Sequence, residues 1–525
     1  MNKAIAFLYI LCSIPRFLTA QITPREGQAL NYRIVGFSFP EEQHAVSYRI
    51  EIATGNYTNE DSFQKHILVT TSAKAPRMIA EVPAFGKQYT WRSVSTDEHS
   101  KAVTSGLHHF STLMVADVNT DSVRLRIMDS ATKYKDDYVF IDGHRVLYDM
   151  QGHPVWFFPA IDTFTRQSMH LRDLKASTAG TITAIISERI FEINYNGEVL
   201  WERPGKNKIT IDSVDFEVYH HDFTRLKNGH YMSMAFEQAW WQLPGPVDSN
   251  TLAQPGANVK RDKNNAYSQK TVFGTLVEYD RQGNVVWRWH SSDYFKKSDM
   301  YGRMTGNGLF NLNDTHANSF YFDEQKKIIC IGFRGINRII KIQYPSGKVL
   351  STYGKLYDPA SGGNPHLLNN AFCLQHSSGL TDEGNVYLYN NNACHRKGAP
   401  TVVVLKEPKS EKDTLEKLWE FECPVDEPEK NASTKIVFFF GGNVIELPDK
   451  SFLVCMGGIF GKTFIVNRDK KILWSAQPEK WEPTKGEWTK RGVMLDGGNT
   501  EGIYRANIVT RAQLESLVWG VSRKS

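Results

Sequence analysis

The sequence has few cysteines, little net charge and almost no long apolar run. Its 525 residues include 6 cysteines, and 62 lysines and arginines stand against 57 aspartates and glutamates, a formal net charge of +5. So few cysteines exclude a disulfide-stapled fold, although a local bridge between Cys373 and Cys394 stays open. No run of basic residues marks a nucleic-acid surface. We therefore expect no nucleic-acid partner.

The one marked apolar run lies at the N-terminus. Lys3 precedes an apolar stretch over residues 4–14, and Leu18-Thr19-Ala20 ahead of Gln21 resembles a cleavage site. The stretch is shorter than the about 20 residues that a membrane span needs, and Arg16 interrupts it. We predict a signal peptide over residues 1–20 and an exported protein, periplasmic or secreted, without a membrane span.

Apolar residues make up 41% of the chain and aromatic residues 12%, which is enough to bury a core. Residues 21–113 alternate apolar and polar side chains in short runs, as in Tyr48–Ile52 and His66–Thr70, which is typical of strands. The run Tyr89-Thr90-Trp91-Arg92-Ser93-Val94 is similar to a late strand of a fibronectin type III-like sandwich. We predict an accessory β-sandwich domain over residues 21–113.

From residue 114 onward the chain repeats a turn, usually with Gly, shortly before a Trp. The copies end at Trp156, Trp201, Trp287 and Trp474, with degenerate copies at Ser351 and Trp419. Each copy is typical of a β-hairpin, and the tryptophans are expected to pack in the core. One hairpin per blade predicts a six-bladed β-propeller over residues 114–525, an all-β chain as a whole. Residues 240–272 and 291–312 interrupt the pattern, and we expect long loops there.

A second repeat places histidines in one frame. His221 begins a segment that matches the one beginning at His376, and His316 falls on the same frame. Because the inner strands of a propeller surround one channel, we expect these three side chains to converge. Arg334 follows the strand after His316 and is expected at the same channel mouth. The frame favours His221 over the adjacent His220, although the sequence leaves open which of the two faces the site.

Three imidazoles beside a guanidinium indicate an anion site. Arginine offers a planar fork to oxyanions, and imidazole serves as donor, acid or nucleophile. A metal would also favour imidazoles, but a guanidinium beside it argues against one. A single His before a strand is usually structural, whereas three in frame with Arg334 favour catalysis. We expect neither metal nor cofactor.

These residues carry a resemblance to a known family. The bacterial arylsulfate sulfotransferases, exported enzymes independent of phosphoadenosine phosphosulfate, have similar motifs in the same order: Tyr219-His220-His221-Asp222, Thr315-His316-Ala317-Asn318-Ser319, Phe333-Arg334 and Gln375-His376. The ending Ile503-Tyr504-Arg505-Ala506 resembles the family's closing strand. The resemblance covers the chain after the signal peptide. Ser377 departs from the family's Asp after the nucleophile, and Lys227 departs from its Pro.

The resemblance implies ping-pong transfer of a sulfuryl group between phenols. His376 would become a transient sulfohistidine, while His221, His316 and Arg334 would stabilise the sulfuryl oxygens. The partners would be a small phenolic sulfate donor and a phenol acceptor, and family members often form homodimers. We add Asn318 and His220 as polar contacts to substrate. Apolar walls for the aryl ring are expected from four aromatic residues: Tyr219, Phe320, Phe333 and Trp240.

Two other functions fit the same sequence. An arylsulfatase-like hydrolase would use the same residues with water as the acceptor. A secreted, non-enzymatic binding propeller would need none of them, and it gives no reason for histidines to recur in one frame.

Overall fold

The computed structural model describes residues 22–113, 122–159, 161, 171–186, 189–203, 209–211, 214–242, 259–295, 314–354, 371–392, 399–410, 413–426, 441–458, 461–490 and 503–520. The chain divides into two compact units between Leu113 and Met114. The predicted signal peptide lies outside the described residues, as does Cys394 of the predicted bridge. None of the helices in the described ranges has the length and apolarity to cross a membrane.

The N-terminal unit is built from strands and one short helix. Its elements are β1 (Gln28–Leu30), β2 (Ile34–Ser38), β3 (Ala45–Thr54), α1 (Glu60–Gln64), β4 (Ile67–Ala73), β5 (Arg77–Glu81), β6 (Gln88–Asp97), β7 (Ala102–Thr104) and β8 (His108–Thr112). One sheet has the order β1-β8-β6-β3-β4, with β7 also on β6, and β2 pairs with β5 in a second sheet. The predicted strand over residues 89–94 lies in β6. Its Trp91 is fully buried, with its ring 5.0 Å from that of Phe37.

The described part of the second unit begins with a run of strands and one short helix. They are β9 (Val123–Asp129), β10 (Tyr138–Ile141), β11 (Val146–Asp149), β12 (Pro154–Phe157), β13 (Leu171–Ala176), β14 (Ile182–Ile186), β15 (Arg189–Ile193), β16 (Val199–Arg203), β17 (Ile209–Ile211), β18 (Val214–Arg225), β19 (Tyr231–Gln242), β20 (Val259–Arg261), β21 (Tyr267–Tyr279), β22 (Val285–His290) and α2 (Ser291–Tyr294).

The remaining elements run to the C-terminal helix. They are β23 (Ala317–Asp323), β24 (Ile328–Phe333), β25 (Arg338–Gln343), β26 (Val349–Tyr353), β27 (His376–Leu380), β28 (Val386–Asn390), β29 (Thr401–Leu405), β30 (Lys417–Glu422), β31 (Asn443–Glu446), β32 (Phe452–Cys455), β33 (Thr463–Val466), β34 (Ile472–Glu482), β35 (Glu487–Lys490), β36 (Ala506–Val509) and α3 (Arg511–Val518). The all-β class predicted from the sequence is confirmed.

The described strands of the second unit form six antiparallel sheets that follow one another along the chain. In order, the sheets are β36-β10-β11-β12, β13 to β16, β17-β18-β19-β21-β20 with β22, β23 to β26, β27 to β30, and β31 to β35 with β9. We call β36, β13, β18, β23, β27 and β31 the inner strands. Successive inner strands from β36 to β31 lie against one another. The Asn443 amide in β31 donates to the Ala506 carbonyl at 2.8 Å, which joins the last inner strand to β36.

The two ends of the second unit complete sheets that begin elsewhere in the sequence. The C-terminal β36 pairs with β10 and so provides the inner strand of the first sheet. The early strand β9 pairs with β34 in the last sheet. The ring of sheets is therefore held closed by hydrogen bonds from both chain ends.

The repeated tryptophans link neighbouring sheets. The predicted hairpins are confirmed in pairs such as β11 with β12 and β33 with β34. The Trp156 indole donates to the Tyr195 carbonyl at 2.8 Å, and the Trp474 indole donates to the Met150 carbonyl at 3.0 Å. Because Met150 belongs to the first sheet's hairpin, the Trp474 bond runs from the last sheet back to the first.

The loop predicted over residues 240–272 is partly wrong. Strands β19 and β21 pair along their length as far as Gln242 with Ser268, and β20 adds a third strand. This ribbon extends beyond the sheet's core, so its sequence shows no clear apolar and polar alternation and resembles a loop. Residues 243–258 lie outside the described part of the chain, as do residues 296–312 of the second predicted loop.

Candidate active site

Four of the six inner strands in the described part of the second unit share an irregularity at one level. Register shifts occur in β13 at residues 172–175, in β18 at residues 219–223, in β23 at residues 317–319 and in β27 at residues 376–378. Four residues at this level have left-handed backbone: Asp173, His221, His316 and Ser377, with φ of 55°, 62°, 51° and 48°. Such a conformation is costly for a residue with a side chain and often marks a functional site. The bulges interrupt the alternation of faces and set the side chains of this level.

The three predicted histidines converge here around a tyrosine. The ring centroids of His221 and His316 lie 5.3 Å apart. The Tyr504 ring stands 5.8 Å from His221 and 5.9 Å from His376, so it links the two histidines. The Tyr504 hydroxyl is buried and has no hydrogen-bond partner among the described residues. A buried hydroxyl of this kind is available to a ligand.

His376 is held in one tautomer. Its Nδ1 lies 2.7 Å from Asn391 Oδ1, and the Asn391 amide nitrogen donates to the Gly441 carbonyl at 3.0 Å. Asn391 Oδ1 is therefore the acceptor, Nδ1 of His376 carries the proton, and the lone pair lies on Nε2. Burial, and then the charge of Arg334, lower the pKa of His376 well below its usual value. A neutral imidazole with a free Nε2 lone pair is a nucleophile.

His316 and Arg334 are fixed to each other through the backbone. The Arg334 N–H donates to the His316 carbonyl at 2.9 Å, so the short helical turn Arg334–Ile336 stands directly beside the histidine. Asp314 accepts from the His316 backbone N–H at 2.6 Å, and its other oxygen lies 3.0 Å from Nδ1 of His316. The carboxylate therefore orients the ring and leaves Nε2 for another partner. Arg334 is buried, at 6% exposure, and supplies a fixed positive charge.

His220 and His221 contact each other through their Nδ1 atoms. One of the two rings must carry the proton of this Nδ1 to Nδ1 hydrogen bond. The His220 ring stacks on Phe236 with centroids 3.7 Å apart. Burial and the charge of His316 lower the pKa of His220 to about 3, and burial with the charge of His220 lowers that of His221 well below its usual value. Of the pair, His221 is the ring that contacts His316 and Tyr504, as the repeat frame favours.

The buried Asp173, Asp222 and Arg505 form a closed cluster beside the histidines with the half-buried Lys175. Arg505 contacts Asp173 at 2.7 Å and Asp222 at 3.0 Å, and Lys175 contacts each aspartate at 2.8 Å. Burial would raise the pKa of Asp222, but Arg505 and Lys175 lower it to about 2. The Arg505 fork also donates to the Asn318 carbonyl at 3.1 Å. The cluster is electrically neutral and joins inner strands of three sheets.

The structure does not bring three of the predicted aromatic residues to the histidines. Tyr219 is buried between sheets, with its hydroxyl 2.8 Å from that of Tyr279. Phe320 and Phe333 belong to a hydrophobic core cluster, with Phe333 against Phe295 at 4.7 Å. Their positions put them in the core because side chains alternate between the two faces of a strand. The aryl-wall role predicted for them gains no support from these contacts.

Asn318 and Trp240, the other predicted substrate contacts, lie in a buried position and an exposed position respectively. Asn318 is fully buried, and its amide donates to the Gln375 carbonyl at 2.8 Å, directly before His376. It therefore holds the backbone of the nucleophile candidate. Trp240 is 47% exposed on the β19 ribbon, with the Lys260 ammonium 3.9 Å from its ring centroid.

Several residues of the site were missed by sequence reasoning. Asn391 and Asp314, the partners of His376 and His316, stand in no repeat, so nothing in the sequence marked them. Tyr504 and Arg505 were noted only as part of a closing strand. The sequence signal for these two residues is their position near the C-terminus. A C-terminal strand that closes a ring of sheets becomes an inner strand, so residues next to it lie near the site.

The chemistry of the site is that of an oxyanion site. Fixed cations, imidazoles and a phenol hydroxyl suit a tetrahedral anion. Among the described residues no group of three or more histidine, cysteine, aspartate or glutamate side chains is arranged to hold a metal ion.

The site lies partly within a segment that matches a known family. Residues 247–415 match the family described as Arylsulfotransferase (ASST). The segment includes His316, Arg334 and His376, while His221 precedes it. The match confirms the family resemblance carried by the motifs and supports an aryl sulfotransferase activity in general.

Solved structures of low identity also align with the chain. A protein of unknown function from Bacteroides caccae is 12% identical, with 65% of this chain and 93% of that chain covered and a TM-score of 0.36. The periplasmic gluconolactonase of Pseudomonas aeruginosa is 10% identical, with 74% and 99% covered and a TM-score of 0.33. Likenesses this distant carry no argument. No curated protein matches the chain.

Proposed function

Because residues 247–415 match the arylsulfotransferase family, we propose that this protein moves a sulfuryl group from an aryl sulfate to a phenol through a covalent intermediate on His376. His221, His316 and Arg334 hold the sulfuryl oxygens during both transfers. The substrates are small molecules, and the reaction needs no nucleotide or metal because the enzyme itself stores the transferred group.

We infer the fold that carries this site as a six-bladed β-propeller over residues 114–525, after a fibronectin type III-like sandwich over residues 21–113. The six consecutive sheets and the contacts between successive inner strands support the propeller. The pairing of β36 with β10 supports its closure. Placing the histidines on inner strands at one level puts the site at one mouth of the central channel.

In the first step the Nε2 lone pair of His376 attacks the sulfur of the aryl sulfate. The N–S bond forms as the bond from sulfur to the aryl oxygen breaks, and the electron pair leaves with the phenolate. His316, held by Asp314 through Nδ1, gives the phenolate a proton from Nε2. Negative charge on the sulfuryl oxygens is met by Arg334, by the Nε2–H of His221 and by the Tyr504 hydroxyl.

In the second step an acceptor phenol takes the place of the first one. Its hydroxyl proton passes to His316, its oxygen forms the new bond to sulfur, and the N–S electron pair returns to Nε2 of His376. Asn391 accepts from Nδ1–H throughout, which stabilises the positive charge on the sulfated ring. The site ends in its starting protonation state.

The observation that carries the proposal is the tautomer of His376. Its Nδ1 donates to Asn391 Oδ1 at 2.7 Å, so Nε2 is unprotonated in a pocket where two further imidazoles and a guanidinium converge. A binding site needs no such nucleophile. The signal peptide and the homodimer remain predictions that accompany the proposal, with export to the periplasm or outside the cell.

The test is nitrophenolate release from 4-nitrophenyl sulfate by the purified protein, with and without phenol, in the presence of a chelator. We expect release that rises with phenol, one phenyl sulfate formed per nitrophenolate, and loss of both in His376→Asn. His153→Asn, at an exposed histidine, is the matched control and should keep full activity. Equal release without phenol would instead mean a sulfatase, and no release from several aryl sulfates would favour a binding propeller.

A further inference from the structure

A second guanidinium lies at the site and has no part in the transfer step. Arg172 stands in β13, the inner strand next to β36. Its Cζ lies 5.3 Å from the centroid of the Tyr504 ring, within the range of a cation–π contact. The side chain is partly exposed.

Arg172 is placed close to the histidines as well as to the tyrosine. Burial and the neighbouring imidazoles are the larger causes of the lowered pKa of His221, and the charge of Arg172 lowers it further. The same charge also lowers the pKa of His220. The aromatic face of Tyr504 holds the guanidinium at the level of the reacting groups. The planar fork of arginine is thereby positioned where a substrate would lie.

The nearby carboxylates do not neutralise Arg172. Asp173 and Asp222 are both engaged by Lys175 and Arg505, so that two negative charges meet two positive ones. In the part of the chain that the structure describes, no carboxylate lies within ion-pair distance of Arg172. A partly exposed guanidinium with no carboxylate partner among the described residues is suited to an anion from solution.

We propose that Arg172 recognises an anionic substituent on the aromatic ring of the substrate, so that phenols bearing a carboxylate or a second acidic group are the favoured class. This inference rests on the proposed transferase function and names the substrates of the same site. The reacting sulfuryl group already has Arg334 and the imidazoles as partners. A carboxylate on the ring accepts two parallel N–H bonds from the guanidinium fork.

The experiment compares two acceptors of nearly the same shape, 3-hydroxybenzoate and 3-hydroxybenzamide, and their 4-hydroxy isomers, with 4-nitrophenyl sulfate as donor. The quantity measured is the ratio of kcat/KM for the acid to that for the amide. In the wild type we expect at least one isomer pair to favour the acid. Arg172→Met should lower this ratio by about 10- to 100-fold, as expected for loss of a charge-assisted hydrogen bond. Arg172→Lys should restore part of it.

The control is Arg468→Met, because Arg468 also covers an aromatic ring, with its Cζ 4.3 Å from the centroid of Phe452. It should leave the ratio unchanged. An unaltered ratio in Arg172→Met would overturn the proposal. If both kcat/KM values fall equally, Arg172 serves the sulfuryl group or folding instead.

A binding measurement separates this inference from the proposed function. If the wild type transfers neither to these acceptors nor to phenol, the transferase proposal fails, and calorimetry of 3- and 4-hydroxybenzoate on His376→Asn still tests Arg172. Binding of an acid that weakens about tenfold or more on adding Arg172→Met, with no such change for the amide, supports recognition of the anion. Equal binding with and without Arg172 contradicts it.

Discussion

At the scale of single residues, His376 and His316 differ in what holds their rings. His376 faces a neutral amide through Nδ1, whereas His316 faces the carboxylate of Asp314. An amide oxygen fixes the tautomer without favouring the imidazolium, which suits a nucleophile. The carboxylate of Asp314 on Nδ1 orients the His316 ring and leaves Nε2 for proton transfer, which suits an acid and base.

Replacing Asn391 by Leu should lower kcat by about 10- to 100-fold, because the His376 ring loses the acceptor that orients it. Asn391→Asp keeps an oxygen acceptor and should recover activity at pH 8. Its negative charge raises the pKa of His376, so as the pH decreases the rate of Asn391→Asp should begin to fall at pH values where the wild type is still fully active. Rate profiles from pH 5 to pH 8 test this, and identical profiles for the three proteins would refute it.

The buried histidines also predict how stability depends on pH. Burial lowers the pKa of His220, His221 and His376 in the folded protein, while unfolded histidines titrate near about 6.5. Below that pH the unfolded chain binds protons that the folded chain does not. The free energy of unfolding should therefore fall with decreasing pH, by up to about 1.4 kcal/mol per pH unit for each histidine.

Urea denaturation at pH 7.5 and pH 5.5 measures this dependence. His376→Asn should lose less stability between the two pH values than the wild type, because one of the three groups is gone. The exposed His153→Asn variant should behave like the wild type. A pH dependence unchanged by His376→Asn would mean that this ring takes up its proton in the folded state.

At the scale of elements, the sheets are linked by the repeated tryptophans and by the ends of the chain. The fully buried Trp474 donates from the last sheet to the Met150 carbonyl of the first. Asp142 accepts from the backbone N–H groups of Tyr504 and Arg505, at 2.9 and 2.8 Å. The segment that bears Tyr504 is therefore placed by the same contacts that close the ring of sheets.

Trp474→Phe should lower the free energy of unfolding by about 1 to 3 kcal/mol, because the Met150 carbonyl loses its donor in a buried position. Trp287→Phe removes the bond to the Pro345 carbonyl, at a more exposed position, and should cost less. Urea midpoints at one pH compare the two variants. A larger loss in Trp287→Phe than in Trp474→Phe would contradict the role assigned to ring closure.

The elements that repeat in the sequence are the ones that could be predicted from it. The hairpins were predictable because a turn residue and a Trp recur together, and the inner histidines because they recur in one frame. Asn391, Asp314 and Arg172 occur in no repeat. Asp314 contacts His316 two residues further along the chain, while Asn391 and Arg172 reach the site through contacts between elements. Phe320 and Phe333 were assigned to the site because they neighbour it in sequence, but the alternation of a strand turns them into the core.

At the scale of the whole molecule, the ring of sheets assembles the site from distant parts of the sequence. A ring of sheets brings side chains from strands far apart in the sequence to one level, and a neutral buried nucleophile lies among fixed positive charges. We propose that such a site holds the sulfuryl group on His376 between the two transfers. Transfer and hydrolysis differ only in which acceptor reaches that intermediate.

The most direct measurement is rapid quenching of the protein with 4-nitrophenyl sulfate in the absence of acceptor, followed by alkaline digestion and mass spectrometry of the peptide that contains His376. The account predicts one sulfuryl group on His376, removed when phenol is added before the quench, and none on His221 or His316. A full burst of nitrophenolate with an unmodified His376, or with the group on another residue, would contradict it.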